Sequence, residues 1–379
     1  MDMRANESDM QFDVKTADDL YRLKTMAGLA RVTVDLSRIK RMGLAHLSMR
    51  LAYFAVAEGG EIVLFDRTAS GDQSVGPFLL GWPTLRALAI TALGRDCREE
   101  PVAQKGEIRF VRTTPRPEAG WSAGLIFSGR DEELPAVYRC LDGLCAQPEL
   151  VGETGEIILC GPTRDLGFLD AYPQVTYLVF DFEPSGSAFP ISRKKNFLIS
   201  QMAHPRRLVL HARIVLEPGA IAGAPEEFDI IAPNMIFRSD KGEEPSIGLI
   251  AIDPGWPNRV PRSFERSTLT TSPARYLDLM AHGRPYVDGG AFAVMAGVFD
   301  ACPLNDALLW GDCEDVEWCL RAQTLGFSVD MAPQMMALNT NSKARTLEAL
   351  PSAAAQGVRA VNRGRRVLSN LIIRLKSGA

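Results

Sequence analysis

Between residues 16 and 111 the chain alternates helical faces with short apolar runs, and nothing else in it restricts the fold as much. Helices and strands in alternation bury their apolar faces by stacking in layers, which is an α/β arrangement. Thr16-Ala-Asp-Asp19 has capping-box character ahead of Leu20, Leu23 and Met26, which predicts a first helix. Arg31 to Leu36 alternates like a strand, Leu44, Leu47, Leu51 and Phe54 mark a second helical face, and Glu61 to Phe65 reads as a buried strand after a Gly59-Gly60 turn. A third helix is expected over Trp82 to Leu93 and another strand over Glu107 to Val111. Asp35, at a strand end, reads as a solvated carboxylate or as a leftover ligand acid. The turn formers of Thr113-Thr-Pro-Arg-Pro-Glu-Ala-Gly120 close this block, so residues 1–115 stand apart from a second block over 120–342.

A tail, residues 343–379, differs in charge. It carries eight basic residues against the single acid Glu348, although the whole chain has a net charge of −4. On a helical projection Val358, Val361, Leu368, Leu371, Ile372 and Leu375 share one face, and Arg359, Arg363, Arg366 and Arg374 the other. The pattern predicts a basic amphipathic helix that either packs on the preceding block or lies, over residues 355–376, on an anionic membrane surface. The acidic balance of the chain gives no support to nucleic-acid binding. Its seven cysteines lack zinc-type spacing and read as reduced, mostly buried thiols. The polar N-terminus has no signal-peptide character, and no apolar run approaches the roughly 18 residues that span a bilayer. A cytoplasmic protein is expected, soluble or peripheral to the inner face of the membrane.

Trp310-Gly-Asp-Cys-Glu-Asp-Val-Glu-Trp-Cys-Leu-Arg321 gathers Asp312, Glu314, Asp315 and Glu317 within six positions at the expected start of a helix. One reading is structural: Asp312 is the N-cap, Asp315 its capping-box partner, Val316, Cys319 and Leu320 the buried stripe, and Glu317–Arg321 a surface ion pair. The other is chemical, because so many like charges suit a cationic ligand, a metal or a proton-transfer task. Upstream, Tyr286-Val-Asp-Gly-Gly-Ala-Phe-Ala-Val-Met295 is a short apolar strand broken by Gly289-Gly290, where backbone can approach a ligand closely.

Taken in order, this diglycine segment, Phe299-Asp300, Trp310-Gly311, Glu314-Asp315, Arg321 and Gly326 resemble the acceptor half of the family 2 glycosyltransferases, enzymes of the GT-A fold. The resemblance covers about residues 121–340. Trp121 to Arg130 looks like the opening strand and nucleotide loop, Glu133 to Leu144 like the first helix, Glu156 to Gly161 like the second strand and Val175 to Phe182 like the third. Ser192-Arg-Lys-Lys-Asn196 enters a helical stretch, as the lysine-asparagine segment of these enzymes does. Leu208 to Gly219 matches the strand where the family usually carries Asp-x-Asp for a divalent cation, but the two positions here are His211 and Arg213. A hard divalent ion wants oxygen ligands and an Arg side chain cannot coordinate, so a divalent metal is doubtful and cofactors are unknown. Either Arg213, helped by His211, replaces the cation and pairs with phosphate oxygens, or the site has decayed. Residues 10–115 are also weakly similar to the later half of a class I methyltransferase, although the Gly-rich loop for the methyl donor is absent.

The resemblance implies a GT-A-like mixed, mostly parallel α/β sheet flanked by helices, beside a smaller Rossmann-like block. It implies transfer of a sugar, with inversion, from a nucleotide-sugar donor to a hydroxyl of a glycan or lipid-linked acceptor. The alternative is a non-catalytic GT-A-like module that binds a nucleotide sugar or scaffolds a partner. By position Asp315 is the base, Glu314 orients it or the acceptor, and Asp312 is held in reserve. Ser128, Arg130, Gly161, Asp181, Lys195, His211 and Arg213 are expected at the donor, since open α/β sheets bind ligands at strand ends. Asp288, Gly289, Gly290 and Arg321 are expected at the acceptor, unless Arg321 only closes the pair with Glu317. Pro254, Pro257 and Pro261 read as an irregular loop, either plain surface or closing over substrate.

Overall fold

The computed structural model describes residues 11–39, 42–67, 81–102, 106–181, 189–239, 242–245, 248–252, 280 and 284–340. The expected basic helix of the tail and the proline loop over residues 254–261 lie outside the described residues.

Strands β1 (Gln11–Val14), β2 (Leu29–Asp35), β3 (Val56–Phe65), β4 (Cys97–Glu100) and β5 (Glu107–Arg112) form a five-stranded sheet in the order β1-β2-β3-β5-β4. Helix α1 (Ala17–Leu23) starts at a reciprocal cap, in which Thr16 and Asp19 each accept the other's backbone N–H. Helix α2 (Met42–Ala55) packs on β2 and β3, and α3 (Trp82–Leu93) packs on α2. Two expectations change. Gly59-Gly60 is not a turn ahead of a strand but lies inside β3, where the register jumps from Leu29 opposite Val56 to Arg31 opposite Glu61. A Cβ on Gly60 would stand 2.9 Å from the Leu29 carbonyl oxygen, so the extra residues fit only without a side chain there. Asp35 is buried rather than solvated: its carboxylate accepts the Ser37 N–H at 3.1 Å and the Ser37 hydroxyl, capping a short 3-10 turn.

The chain continues through β6 (Trp121–Ile126), β7 (Gly155–Gly161), β8 (Val175–Val179), β9 (Arg206–His211), β10 (Ile214–Leu216), β11 (Ile230–Ser239), β12 (Gly242–Pro245), β13 (Leu249–Ile252), β14 (Arg284–Val287), β15 (Ala291–Met295) and β16 (Val329–Asn339). Strands β13 and β14 pair with each other; the rest form one mixed sheet, β10-β16-β11-β15-β9-β6-β7-β8, with β12 on β11. Neighbours β8, β7, β6 and β9 run parallel, β15 is antiparallel to both β9 and β11, and β11 is parallel to β16.

Helices α4 (Leu134–Cys145) and α5 (Pro148–Val151) cover one face, where Val137, Leu141 and Leu144 pack with Leu125, Leu159 and Leu210. The other face receives α6 (Ile191–Ser200), α7 (Ala296–Ala301) and α8 (Glu314–Thr324). A continuous apolar cluster on that side runs from Leu47, Ala52 and Leu93 of the first block to Leu198, Val209, Trp318 and Phe327 of the second, so the molecule is a layered α/β fold with its two larger sheets joined through that cluster. Arg50 of α2 crosses this contact. Its Nε and Nη2 donate to Asp229 at 2.9 and 2.7 Å, and its Nη1 to Asp96 at 2.8 Å and the Ala92 carbonyl at 2.7 Å. Arg112 reaches Glu227 at 2.6 Å and Lys24 reaches Asp330 at 2.7 Å across the same boundary.

Candidate functional site

Parallel strands expose their carboxyl ends along one edge, and the register fixes which residues share it. Ile126 of β6 lies opposite both Cys160 of β7 and His211 of β9, and Gly161 lies opposite Val179 of β8. The His211 amide then donates to the Gly290 carbonyl at 2.9 Å. Ser128, Gly161, Asp181, His211 and the turn over residues 288–290 are thereby brought to one edge, where the strand order reverses between β6 and β9.

A cavity of about 410 Å³ opens at this edge, lined by Ser128, Arg130, Pro162, Phe180, Asp181, Phe189 and Lys194. Asp181 accepts the Thr163 N–H at 2.7 Å and its hydroxyl at 2.6 Å, and these bonds hold its carboxyl below the usual range. Arg130 donates to Ser128 Oγ at 3.1 Å and to Glu133 at 2.6 Å. Gly161 is not among the walls; the Tyr177 hydroxyl packs where a Cβ would be. The lysine at this wall is Lys194, which the sequence reading did not single out. Its Nζ donates to the Phe127 carbonyl at 2.6 Å and lies 5.8 and 5.6 Å from the Phe180 and Phe189 ring centroids, and burial pushes its pKa below the ordinary value. Successive helical residues point about 100° apart, so a Lys-Lys pair cannot by itself tell which member faces a ligand.

The second part of the site is built on the diglycine. Lys195, expected at the donor, is fully buried, with Nζ donating to the Gly289 carbonyl at 2.7 Å and to Glu314 Oε1 at 2.8 Å. The Gly289 N–H donates to Asp315 Oδ2 at 2.9 Å and the Gly290 N–H to Asp288 Oδ1 at 2.8 Å. Arg213, in the turn between β9 and β10, reaches Asp288 at 3.4 Å and His211 Nδ1 at 3.0 Å, and among the described residues its buried Nε has no hydrogen-bond partner. Both glycines are needed for this approach. A Cβ on Gly289 would stand 3.0 Å from Glu314 Oε1 and Lys195 Nζ and 3.1 Å from Asp315 Oδ2, and one on Gly290 would strike the Arg213 guanidinium, 2.8 Å from its Cζ. The guanidinium and the acid pair thus meet at successive residues of one turn. Burial first, and then the charge of Glu314, raise the Asp315 pKa above the ordinary carboxylate value against the opposing pull of the Gly289 N–H and Lys195.

Helix α8 starts differently from the capping-box expectation. Its N-cap is Cys313, at φ +60° and without a side-chain cap, while Asp312 is exposed and accepts the Leu309 N–H at 3.0 Å. Asp315 turns to Gly289 instead of capping. The buried face carries Glu314, Trp318, Cys319 and Ala322 in place of a stripe led by Val316 and Leu320, and Trp318 donates to the Cys302 carbonyl at 2.7 Å. The Glu317–Arg321 pair forms at 2.7 Å, and Arg321 also donates to the Pro303 carbonyl at 2.7 Å, which holds it there and not at the diglycine. Among the described residues no three His, Cys, Asp or Glu side chains are placed to hold a metal ion, and no helix is long and apolar enough to cross a membrane.

No family model and no curated protein matches the chain. Among solved structures it is similar to the mannosyltransferase PcManGT of Pyrobaculum calidifontis, solved with GDP-Man and Mn2+, at 12% identity and a TM-score of 0.40, over 69% of this chain and 65% of that one. It is also similar to residues 1-349 of TarS from S. aureus, at 10% identity and a TM-score of 0.38, over 58% of this chain and 60% of that one. The chain therefore spans less than two thirds of either protein's length, and neither likeness is strong enough to assign an activity.

Proposed function

We propose that the chain is a GT-A-like glycosyltransferase that moves a sugar, with inversion, from a nucleotide-sugar donor to an acceptor hydroxyl. The observation that carries this reading is the convergence of Arg213, Glu314 and Asp315 on Gly289-Gly290, on the same sheet edge as the cavity beside Ser128 and Lys194. An acid with a raised proton affinity is suited to take the acceptor's proton, and Asp315 is that acid. Arg213 offers a planar guanidinium to the departing diphosphate, where fixed positive charge is worth most as negative charge develops. The cavity is within the size range of small-molecule sites, about 300–1,000 Å³. A non-catalytic nucleotide-sugar-binding module is the second reading, favoured by His211-Ala212-Arg213 at the end of β9 and by the pairing of Arg213 with Asp288.

Incubation of the full chain with a panel of nucleotide sugars, with and without magnesium or manganese, is expected to give thermal stabilisation by one of them together with its slow hydrolysis. Stabilisation without turnover selects the module, and the absence of both refutes either reading. Gly290→Ala tests the geometry without touching Arg213 itself. Because a guanidinium can swing aside where backbone cannot, the variant is expected to fold normally and to bind the nucleoside diphosphate about ten-fold more weakly or worse. Equal affinity on titration would take Arg213 out of the site.

A further inference from the structure

We propose that Lys195 is a positioning residue: its ammonium group, held between the Gly289 carbonyl and the Glu314 carboxylate, ties α6 to the diglycine turn and to the start of α8, neutralises Glu314, and leaves Asp315 as the member of the acid pair that exchanges a proton. The consequence for catalysis rests on the proposed transfer reaction; the geometry does not. Lys195 is 0% exposed and Glu314 8% exposed, so both charges are largely withdrawn from water, and each is compensated by the other at 2.8 Å. The Gly289 peptide links the pair to the base, since its carbonyl accepts from Lys195 at 2.7 Å while its N–H donates to Asp315 at 2.9 Å. The Phe292 ring centroid, 5.6 Å from Nζ, closes the pocket around the ammonium group. Two of the three ammonium protons are thus engaged and Lys195 does not line the cavity, whereas Lys194 one residue earlier forms part of its wall.

Asp315 accepts one N–H on each oxygen, from Gly289 and from Val316. Among the described residues the titratable groups facing it are Glu314 and Cys319 of its own helix, Lys195 of α6, Asp288 of the turn and Tyr286 of β14. Lys195 is the positive member of that set, so its removal and the removal of Glu314 must push the carboxyl of Asp315 in opposite directions.

The test is a carbon-13 NMR titration of the Asp315 carboxyl in the full chain, in wild type, Lys195→Met, Glu314→Gln and the double variant. Lys195→Met is expected to raise the Asp315 midpoint by about one pH unit and Glu314→Gln to lower it by a similar amount. The double variant is expected to return close to wild type. Each single variant strands one buried charge, so should one of them fail to fold, the other is compared with the double variant, which strands none, and an equal Asp315 midpoint in those two overturns the proposal. Midpoints that do not move, or that move in the same direction in both single variants, overturn the proposal. The acid limb of the turnover profile should follow the same order. If the midpoints shift as described in a chain that turns over no nucleotide sugar, the positioning role stands and the transfer reading falls.

Discussion

Asp315→Asn is expected to lower sugar transfer by about 10²–10⁴-fold while the chain still folds and still binds the nucleoside diphosphate. The substitution keeps the shape of the side chain and an oxygen for the Gly289 or Val316 N–H, but removes the group proposed to take the proton. On the proposed mechanism the same residue sets the pH dependence. A base works only when ionised, and burial and Glu314 raise its pKa, so wild-type activity should fall on the acid side at a pH above the ordinary aspartate value of about 3.9. Its effect on stability has the opposite sense. A folded-state pKa above the unfolded one means that the folded chain holds the proton more tightly, so this group's contribution is fully present below the unfolded value and is lost as pH rises through the folded value. In the Asn variant that loss disappears, and its stability should vary less over the same window. Initial rates and denaturant unfolding across pH measure both; a variant keeping a tenth or more of wild-type transfer would move the base to another residue.

Arg50→Ala is expected to cost about 3–5 kcal/mol of stability, because it strands a buried carboxylate rather than deleting a pair. Arg50 and Asp229 are each 3% exposed on their side chains and are joined through two hydrogen bonds. After the substitution Asp229 would keep only the Ser328 N–H at 2.7 Å and the Ser328 hydroxyl at 2.9 Å, and Asp96 would lose its partner as well. Arg50 also stacks on Tyr53 and Phe54, with its Cζ 4.5 and 5.0 Å from the ring centroids, so apolar contact is lost together with charge. Urea unfolding of both proteins gives the difference. A loss under about 1 kcal/mol would mean that the two sheets are not held together through this pair.

Local pattern made much of the fold legible. Thr16 and Asp19 cap α1, Trp82 to Leu93 is α3, and Trp121 to Ile126 is β6, because caps, helical periodicity and apolar runs are set by neighbours in sequence. The short polar strands β1 and β4 carry no such signal, Gln-Phe-Asp-Val and Cys-Arg-Glu-Glu being strands only because β2 and β5 pair with them. The site divides in the same way. Acidic clustering and the diglycine pointed to Asp315 and Gly289, whereas the choice between Lys194 and Lys195 depends on the rotation of α6 against the sheet. Arg50 and Asp229 meet across 179 positions of sequence, and nothing local to either residue marks the other.

The central claim, that the Arg213 guanidinium does at this turn what a divalent cation would do for a diphosphate, is tested most directly by isothermal titration of the full chain with UDP, GDP, ADP and dTDP in EDTA. One of them is expected to bind without metal, and its affinity to fall about ten-fold or more in Arg213→Ala. Binding that appears only with magnesium or manganese, or that is the same in wild type and Arg213→Ala, would contradict it.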